Sequence, residues 1–326
     1  MIRNPKYGIT KKNGGIVPTP KDPRVLYVPV GCGMCMECNK QKANWWKLRL
    51  GEEIKENKNG KFITLTFSNE AYTRYVEKIR KENEGIEGYL LDNEVATVAV
   101  REFLERWRKK NKKSVKHWLI TELGHEGTEN IHMHGVIWAD DVNEIEERWN
   151  AGKDGKNGWV WKGKKKGHEL INYVSERTCN YITKYMTKKD TKHVYYKPKI
   201  LCSPGIGSGY TKQYNFKLNK YNGDKTVTEY ITPQGRKMGM PIYWRNKLWT
   251  EEEREELWLK QLDKNERWVG GEKIKADNDE QYNKLVQYYR KKNYMLGYAS
   301  PTDYDAIKYE NERRKLMQEK RTKPKP

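Results

Sequence analysis

Several things are scarce in this chain of 326 residues, and each scarcity excludes a class. It has four phenylalanines, five cysteines and six histidines, and only 36% of its residues are apolar. No apolar run approaches the ~18 residues of a membrane-spanning helix. The opening Met1-Ile2-Arg3-Asn4-Pro5-Lys6 lacks the apolar segment of a secretory signal. A soluble, intracellular protein with no membrane partner is therefore expected. An odd number of cysteines, three of them within residues 32–38, fits a reducing compartment better than a disulfide framework. Acidic groups are also short: 44 Asp and Glu face 65 Lys and Arg, a net charge of +21. What is plentiful is flat aromatic surface, with 12 tryptophans and 22 tyrosines, too much for a wholly disordered chain. Surplus cations together with stackable rings point to nucleic acid. A solvated Lys/Glu-rich surface explains the high charge but not so large an imbalance.

Along the chain, residues 1–30 read as an extended arm, and helical spacing of Ala43, Trp46, Leu50 and Ile54 marks a helix over 39–55. The alternating Phe62-Ile63-Thr64-Leu65-Thr66-Phe67 is a strand, followed by a helix from Ser68 toward Lys81. A second helix is expected over 94–110, its buried side formed by Val98, Phe103, Leu104 and Trp107. Strands at 117–122 and 131–138 should pair antiparallel across the Gly124-His125-Glu126-Gly127 turn. A short helix at 142–150 and a longer one at 169–188 follow. Beyond Lys192 the signals weaken to strand-like pieces at 194–196 and 226–231, helices at 249–262 and 278–292, and a charged end from Tyr309 whose last residues, 320–326, read as disordered. The order β-α-α-β-β-α-α predicts an α+β fold, a central antiparallel sheet flanked by helices. The expected division is an N-terminal arm with a Cys-rich knuckle and helix (1–60), a core (61–192), and a basic, partly helical extension (193–326). The thin apolar fraction fits one compact layer with loosely packed extensions better than two equal domains.

His132-Met133-His134 lies in a strand, where alternation sends both imidazoles to one face. Two such ligands fix most of a metal site if a third closes it. Glu122, at the end of the neighbouring strand on the side of Trp118 and Ile120, is the choice, with His125, Glu126 and Glu129 as competitors. A carboxylate favours a harder ion such as Mg²⁺ or Mn²⁺. Composition alone would give about 0.1 such His-x-His pairs, so the motif is suggestive, yet two surface histidines would look the same. In Tyr181-Ile182-Thr183-Lys184-Tyr185-Met186-Thr187-Lys188, helical spacing gathers Tyr181, Lys184, Tyr185 and Lys188 on one face. A phenol that attacks phosphorus needs a nearby cation; taken alone, though, the spacing is equally that of an amphipathic aromatic helix, since about 1.5 such Tyr pairs arise by chance. Cys32-x-x-Cys35-x-x-Cys38 is rarer, with about 0.001 occurrences expected. Three thiolates need a fourth ligand for tetrahedral zinc, and Cys202 is the first choice, ahead of Cys179 or a histidine. The rival is a reduced, metal-free knuckle capping the next helix. Two basic runs suit a nucleic-acid backbone: Arg106, Arg108, Lys109, Lys110, Lys112, Lys113 and Lys116, then Lys162, Lys164, Lys165 and Lys166, the second interleaved with Trp159 and Trp161. Each would look the same as a solvated loop.

In this order, a hydrophobic strand, His-x-His on a strand and Tyr-x-x-Lys on a helix resemble the three motifs of the HUH endonuclease superfamily, the rolling-circle replication initiators. The doubled tyrosines are similar to those of the two-tyrosine initiators of small single-stranded DNA phages. The chain looks like a gokushovirus-type microvirus initiator in particular. That likeness rests on residues 32–38, Phe62-Ile63-Thr64-Leu65-Thr66-Phe67, Glu122-Leu123-Gly124, Pro204-Gly205-Ile206-Gly207 and Met240-Pro241-Ile242-Tyr243-Trp244-Arg245-Asn246-Lys247, and covers residues 31–250. Thr121 departs from the small Cys-Gly-type pair expected before the glutamate. The resemblance implies metal-assisted nicking of single-stranded DNA at an origin, attack by Tyr181 or Tyr185, a 5′-phosphotyrosine link and later rejoining into a circle. Lys184 and Lys188 would then steady phosphate or phenolate charge. It further implies work in a host-cell cytoplasm and, for residues 250–326, recruitment of a host helicase or polymerase. Rival readings are an HUH transposase or plasmid initiator, a zinc-stabilised nucleic-acid binder without catalysis, and a metal hydrolase that leaves both ends free.

Overall fold

The computed structural model describes residues 2–166, 169–270, 272–275 and 279–322; within them, the side chains of Lys12, Lys165, Lys166, Glu169, Leu170 and Lys273 lie outside the description. The chain divides into two compact units interleaved in sequence. One comprises residues 1–41 and 210–300, the other residues 42–209 and 301–326. Three consecutive stretches were expected from composition; contacts instead return the chain end to the second unit. Helix α1 (Met36–Glu56) carries the chain from the first unit into the second.

The second unit is built on β1 (Gly60–Thr66), α2 (Asn69–Glu82), α3 (Gly88–Asn111), β2 (Lys116–Leu123), β3 (Ile131–Trp138), α4 (Val142–Asn150), β4 (Val160–Trp161), α5 (Glu176–Lys184), β5 (Ile200–Cys202) and α6 (Tyr304–Thr322). The strands form one antiparallel sheet in the order β4-β1-β3-β2-β5. Alternation assigns its two faces. Ile63, Leu65, Leu119, Leu123, Ile131, Met133 and Ile137 pack with α2, α3 and α4. Phe62, Trp118, Ile120, Val136 and Trp138 pack with Ala43, Leu50 and Ile54 of α1 and with Cys179 and Ile182 of α5. The expected α+β sheet with flanking helices is therefore present. At the centre, Gly135 lies opposite Leu119 and Ile63, and a Cβ there would come within 2.0 Å of the Trp118 carbonyl oxygen. Only glycine lets β2 and β3 pair this closely at that point.

Two expectations are corrected. The helix read over 169–188 is Glu169–Ile171, a strand paired with Lys164–Lys166, followed by the shorter α5. Ser175 stops a longer helix by capping: its side chain accepts from Thr178 N–H, and the Thr178 hydroxyl accepts from Ser175 N–H. Just before it, Asn172 donates to the backbone carbonyls of Phe62 and Lys162 and accepts from Phe62 N–H, anchoring non-helical chain to β1. The piece at 194–196 is likewise not a strand.

The second correction concerns the charged end. Residues 320–322 belong to α6, and the helix buries Glu310, Arg314, Gln318 and Arg321, polar positions three or four apart on one face. Arg314 reaches both carboxylate oxygens of buried Asp92 at 2.7 and 2.9 Å, and the Thr128 carbonyl. Gln318 exchanges two hydrogen bonds with the Gly88 backbone, while Arg321 caps the Phe67 carbonyl and lies over the Tyr72 ring at 3.9 Å. A helical period written in charged residues is invisible to hydropathy, which is why this segment reads as a tail. Residues 323–326 of that expectation lie outside the described residues.

In the first unit, Ile2–Arg3 pairs with Tyr27–Val28, so the expected arm is tied down at both ends. Glu229–Ile231 and Lys237–Gly239 form a hairpin beside packed Tyr210, Tyr230 and Trp244 rings. Helices Glu251–Asp263 and Asp279–Met295 match the two expected late in the chain, and a hairpin of Glu266–Val269 and Glu272–Lys275 stands between them.

Candidate metal and tyrosine site

Strand register assembles the site. Glu122 of β2 lies opposite His132 of β3, which lies opposite Thr66 of β1; one step inward come Ile120, His134 and Thr64. All are even-numbered, so all point to the sheet face covered by α5. Glu122 Oε2 is 2.9 Å from His134 Nε2 and 3.2 Å from His132 Nε2. Behind the rings, His132 Nδ1 is 3.1 Å from the Asn130 carbonyl and His134 Nδ1 is 2.9 Å from the Thr64 hydroxyl. A carbonyl only accepts, so His132 Nδ1 carries the proton, and in the neutral ring Nε2 turns a lone pair toward the carboxylate. Two acceptors held face to face call for a cation or a proton between them. Two imidazoles and a carboxylate, their ligand atoms all within 4.8 Å of one another, fit a divalent ion, and the partners behind the rings orient them for it.

Burial disfavours the Glu122 carboxylate, but hydrogen bonds from His132, His134 and Lys188 outweigh it and hold the group well below the usual carboxylate range. For His134, burial pushes the imidazole down and so favours the neutral, ligating form.

The tyrosines stand directly against these ligands. The Tyr185 ring stacks on His134, centroids 4.5 Å apart and planes 10° apart, and its O–H donates to the Tyr181 oxygen at 2.9 Å. Burial raises Tyr185 first, with the Tyr181 hydrogen bond and the Glu122 charge adding to it, so this phenol holds its proton. Tyr181 is half exposed. Because α5 ends at Lys184, Tyr185 is its capping residue and Lys188 lies beyond it, in a turn that brings Lys188 Nζ to 3.0 Å from Glu122 Oε1. Lys184 is exposed on the helix. Beside the phenols, Tyr181 meets Phe62 edge-on and Phe62 meets Trp161 in the same way, while Trp159 is 60% exposed.

Other expected residues are distributed more widely. Cys32, Cys35 and Cys38 in the first unit bring their sulfurs within 4.8 Å of one another, with Cys32 and Cys38 at 3.9 Å. A hydrogen bond from Cys35 brings the Cys38 thiol down to about 7, into thiolate range. Cys202 is on β5 in the second unit, half-buried and paired in register with Trp118, and Cys179 is buried in α5. In the first basic run, Arg106 is spent on the carbonyls of Arg148 and Trp149, and Lys116 on buried Glu53 at 2.6 Å. Arg108, Lys109, Lys110, Lys112 and Lys113 are exposed, at the end of the sheet remote from the site: Lys116 and Glu122 are six strand residues apart, ~20 Å. In the second run Lys162 pairs with Glu146 and Lys164 is exposed. The Lys165 side chain lies outside the described residues.

A further cluster escaped the sequence reading. His125 Nε2 lies 3.1 Å from one oxygen of Asp190, and His193 Nδ1 lies 2.9 Å from the other. The Asp190-x-x-His193 spacing was the available signal, but its partner His125 is 65 positions earlier and is brought in only by the β2–β3 turn.

Residues 60–190, less than half of the chain, match a family model described as a replication-associated protein of the ORF2 type. No curated protein and no solved structure matches the chain. The family match, spanning the sheet, the paired histidines and both tyrosines, combines with the ligand clusters to support a replication-associated, metal-using, nucleic-acid-processing function. Among the described residues, no helix is long and apolar enough to cross a membrane.

Proposed function

We propose that this protein is a rolling-circle replication initiator of the microvirus type, nicking single-stranded DNA at an origin and later rejoining the displaced strand into a circle. The observation that carries this reading is the contact between two hydrogen-bonded phenols and a His-His-Glu ligand set. Glu122, His132 and His134 would hold Mg²⁺ or Mn²⁺, which when bound supplies Lewis-acid polarisation of the scissile phosphate. A tyrosine oxygen then attacks phosphorus, the bond from phosphorus to the 3′ oxygen breaks, and a 5′-phosphotyrosine and a 3′-OH result. The proton given up by the phenol balances the one taken up by the 3′ oxygen. Attack of a 3′-OH on the phosphotyrosine reverses the exchange and reseals a strand without ATP, since the phosphodiester energy is kept in the covalent link.

The hydrogen bond orders the two phenols. Tyr185 donates to the Tyr181 oxygen, so Tyr181 is the first nucleophile and Tyr185 supports its developing negative charge. Tyr185 would act in the transfer that follows. Lys188, beside Glu122, and Lys184, one turn from Tyr181, would face phosphate charge. The aromatic series Tyr181, Phe62, Trp161, with exposed Trp159 next to it, offers stacking surfaces for unpaired bases. The exposed cations of residues 108–113 would touch flanking backbone, ~20 Å from the reacting phosphate. A cysteine-bound zinc would serve only to fold the first unit.

The test is incubation with a labelled single-stranded origin oligonucleotide and Mn²⁺. Wild type should yield a covalent protein–DNA adduct, and the Tyr181→Phe plus Tyr185→Phe protein none. An adduct persisting in the double variant overturns the assignment. Binding that ignores EDTA and never cleaves would favour a zinc-stabilised binder, and nicks with free ends on both sides a hydrolase.

A further inference from the structure

We propose that His125, Asp190 and His193 form a second metal site, distinct from the His-His-Glu set, suited to a transition-series divalent ion such as Zn²⁺. One ligand atom from each lies within 4.8 Å of the others. Their surroundings argue for more than a chance ion pair. His193 is buried, and its Nε2 is 2.8 Å from an oxygen of buried Glu129 while its Nδ1 faces Asp190. With Nε2–H donating to Glu129, the Nδ1 lone pair points at the cluster. This carboxylate–imidazole–metal relay is the arrangement that fixes ring orientation and raises ligand basicity at metal sites.

Glu129 is itself built to stay charged and fixed. Arg313 holds it in a two-pronged pair at 2.9 and 3.0 Å, and Lys192 adds a third contact at 3.0 Å. Its backbone sits at φ 54°, in the left-handed region that a turn normally gives to Gly or Asn. A glutamate kept there at a conformational cost marks a position where the side chain is required. His125 is the opening of the site: its side chain is 40% exposed, its Nε2 faces Asp190, and an ion and its remaining water ligands could enter on that side. Two imidazoles with one carboxylate select a borderline transition ion over Mg²⁺ or Ca²⁺, which prefer oxygen sets. Bound there, the ion would tie the turn between β2 and β3 to the segment that follows Lys188. The competing arrangement is a proton in place of the metal, with a His193 cation bridging Asp190 and Glu129.

Zinc titration of the full-length, metal-stripped chain separates the two. Cys32→Ser/Cys35→Ser/Cys38→Ser serves as the parent, so that the thiols add no sites. We expect His125→Ala on this parent to lose one equivalent of bound zinc, or to weaken it at least about 10-fold, and Asp190→Asn to do the same. His132→Ala should leave that equivalent in place, which makes the outcome independent of the nicking assignment. Zinc should also raise the melting temperature of the parent more than that of His125→Ala. His125 is a surface turn residue, so its variant should match the parent in far-UV circular dichroism without metal. Equal zinc stoichiometry and affinity in the parent and His125→Ala would overturn the site and leave the protonated bridge.

Discussion

Replacing Tyr185 by Phe removes one oxygen and leaves its stack on His134 intact, so the variant isolates the hydrogen bond to Tyr181. If Tyr181 attacks first, its oxygen gathers negative charge as it leaves its proton, and the Tyr185 O–H 2.9 Å away is aimed at it. A hydrogen bond to a charged partner is worth ~1.5–3 kcal/mol. At about 1.4 kcal/mol per decade of rate, Tyr185→Phe should slow formation of the first covalent adduct by about 10- to 150-fold without abolishing it. Tyr181→Phe should remove that adduct, because Tyr185 is held protonated by its burial and by its neighbours Tyr181 and Glu122. The assay is single-turnover labelling of each variant with a 5′-tyrosine-trapping oligonucleotide at saturating Mn²⁺, followed by peptide mapping. Two results would refute the reasoning. One is Tyr185→Phe reacting at the wild-type rate; the other is a first adduct mapped to Tyr185 in the Tyr181→Phe protein at undiminished rate.

Three further perturbations follow from the same geometry. EDTA, or His132→Ala with His134→Ala, should eliminate adduct formation, and added Mn²⁺ should restore only the EDTA-treated wild type; full activity of the His double variant would remove those rings from the site. Arg314→Met strands the Asp92 carboxylate in the core and should cost ~3–5 kcal/mol in urea unfolding, whereas a loss below about 1 kcal/mol would show α6 to be dispensable. Burial raises Glu129, but Arg313, His193 and Lys192 more than compensate and bring it to about 2. A carboxylate held below its unfolded value stabilises above that value, so this contribution should be complete above about pH 4.5 and fall away as pH drops toward 2. Arg313→Ala should move the acid-unfolding midpoint, followed by circular dichroism, to higher pH; an unmoved midpoint contradicts that account.

Much of the candidate site was legible because it depends on local period. Strand alternation alone put His132 and His134 on one face with Glu122, and register then brought them within hydrogen-bond distance. Helical spacing also brought Tyr181 beside Tyr185, although the helix is half the expected length and ends at Lys184. A capping serine and an asparagine clamped to a neighbouring strand set that end, and the clamp is a tertiary bond that apolar periodicity does not register. Lys188 therefore reaches Glu122 from a turn, not from a helical face.

Chain order and side-chain period by themselves determined the alternating strands, the paired antiparallel hairpin and the shared face of the metal ligands, since each follows from geometry over a few neighbouring residues. They also set the surplus of cations that points to nucleic acid. Tertiary structure alone decided which of those cations remain at the surface: Arg106, Lys116, Arg313, Arg314 and Arg321 are consumed by internal carbonyls and carboxylates. It alone gathered His125, Asp190 and His193 and returned residues 301–326 to the sheet-bearing unit. The physical reason is that a charge in sequence carries no mark of its partner. A buried ion pair exists only where distant segments meet closely enough to exclude water, and that meeting is a property of the fold.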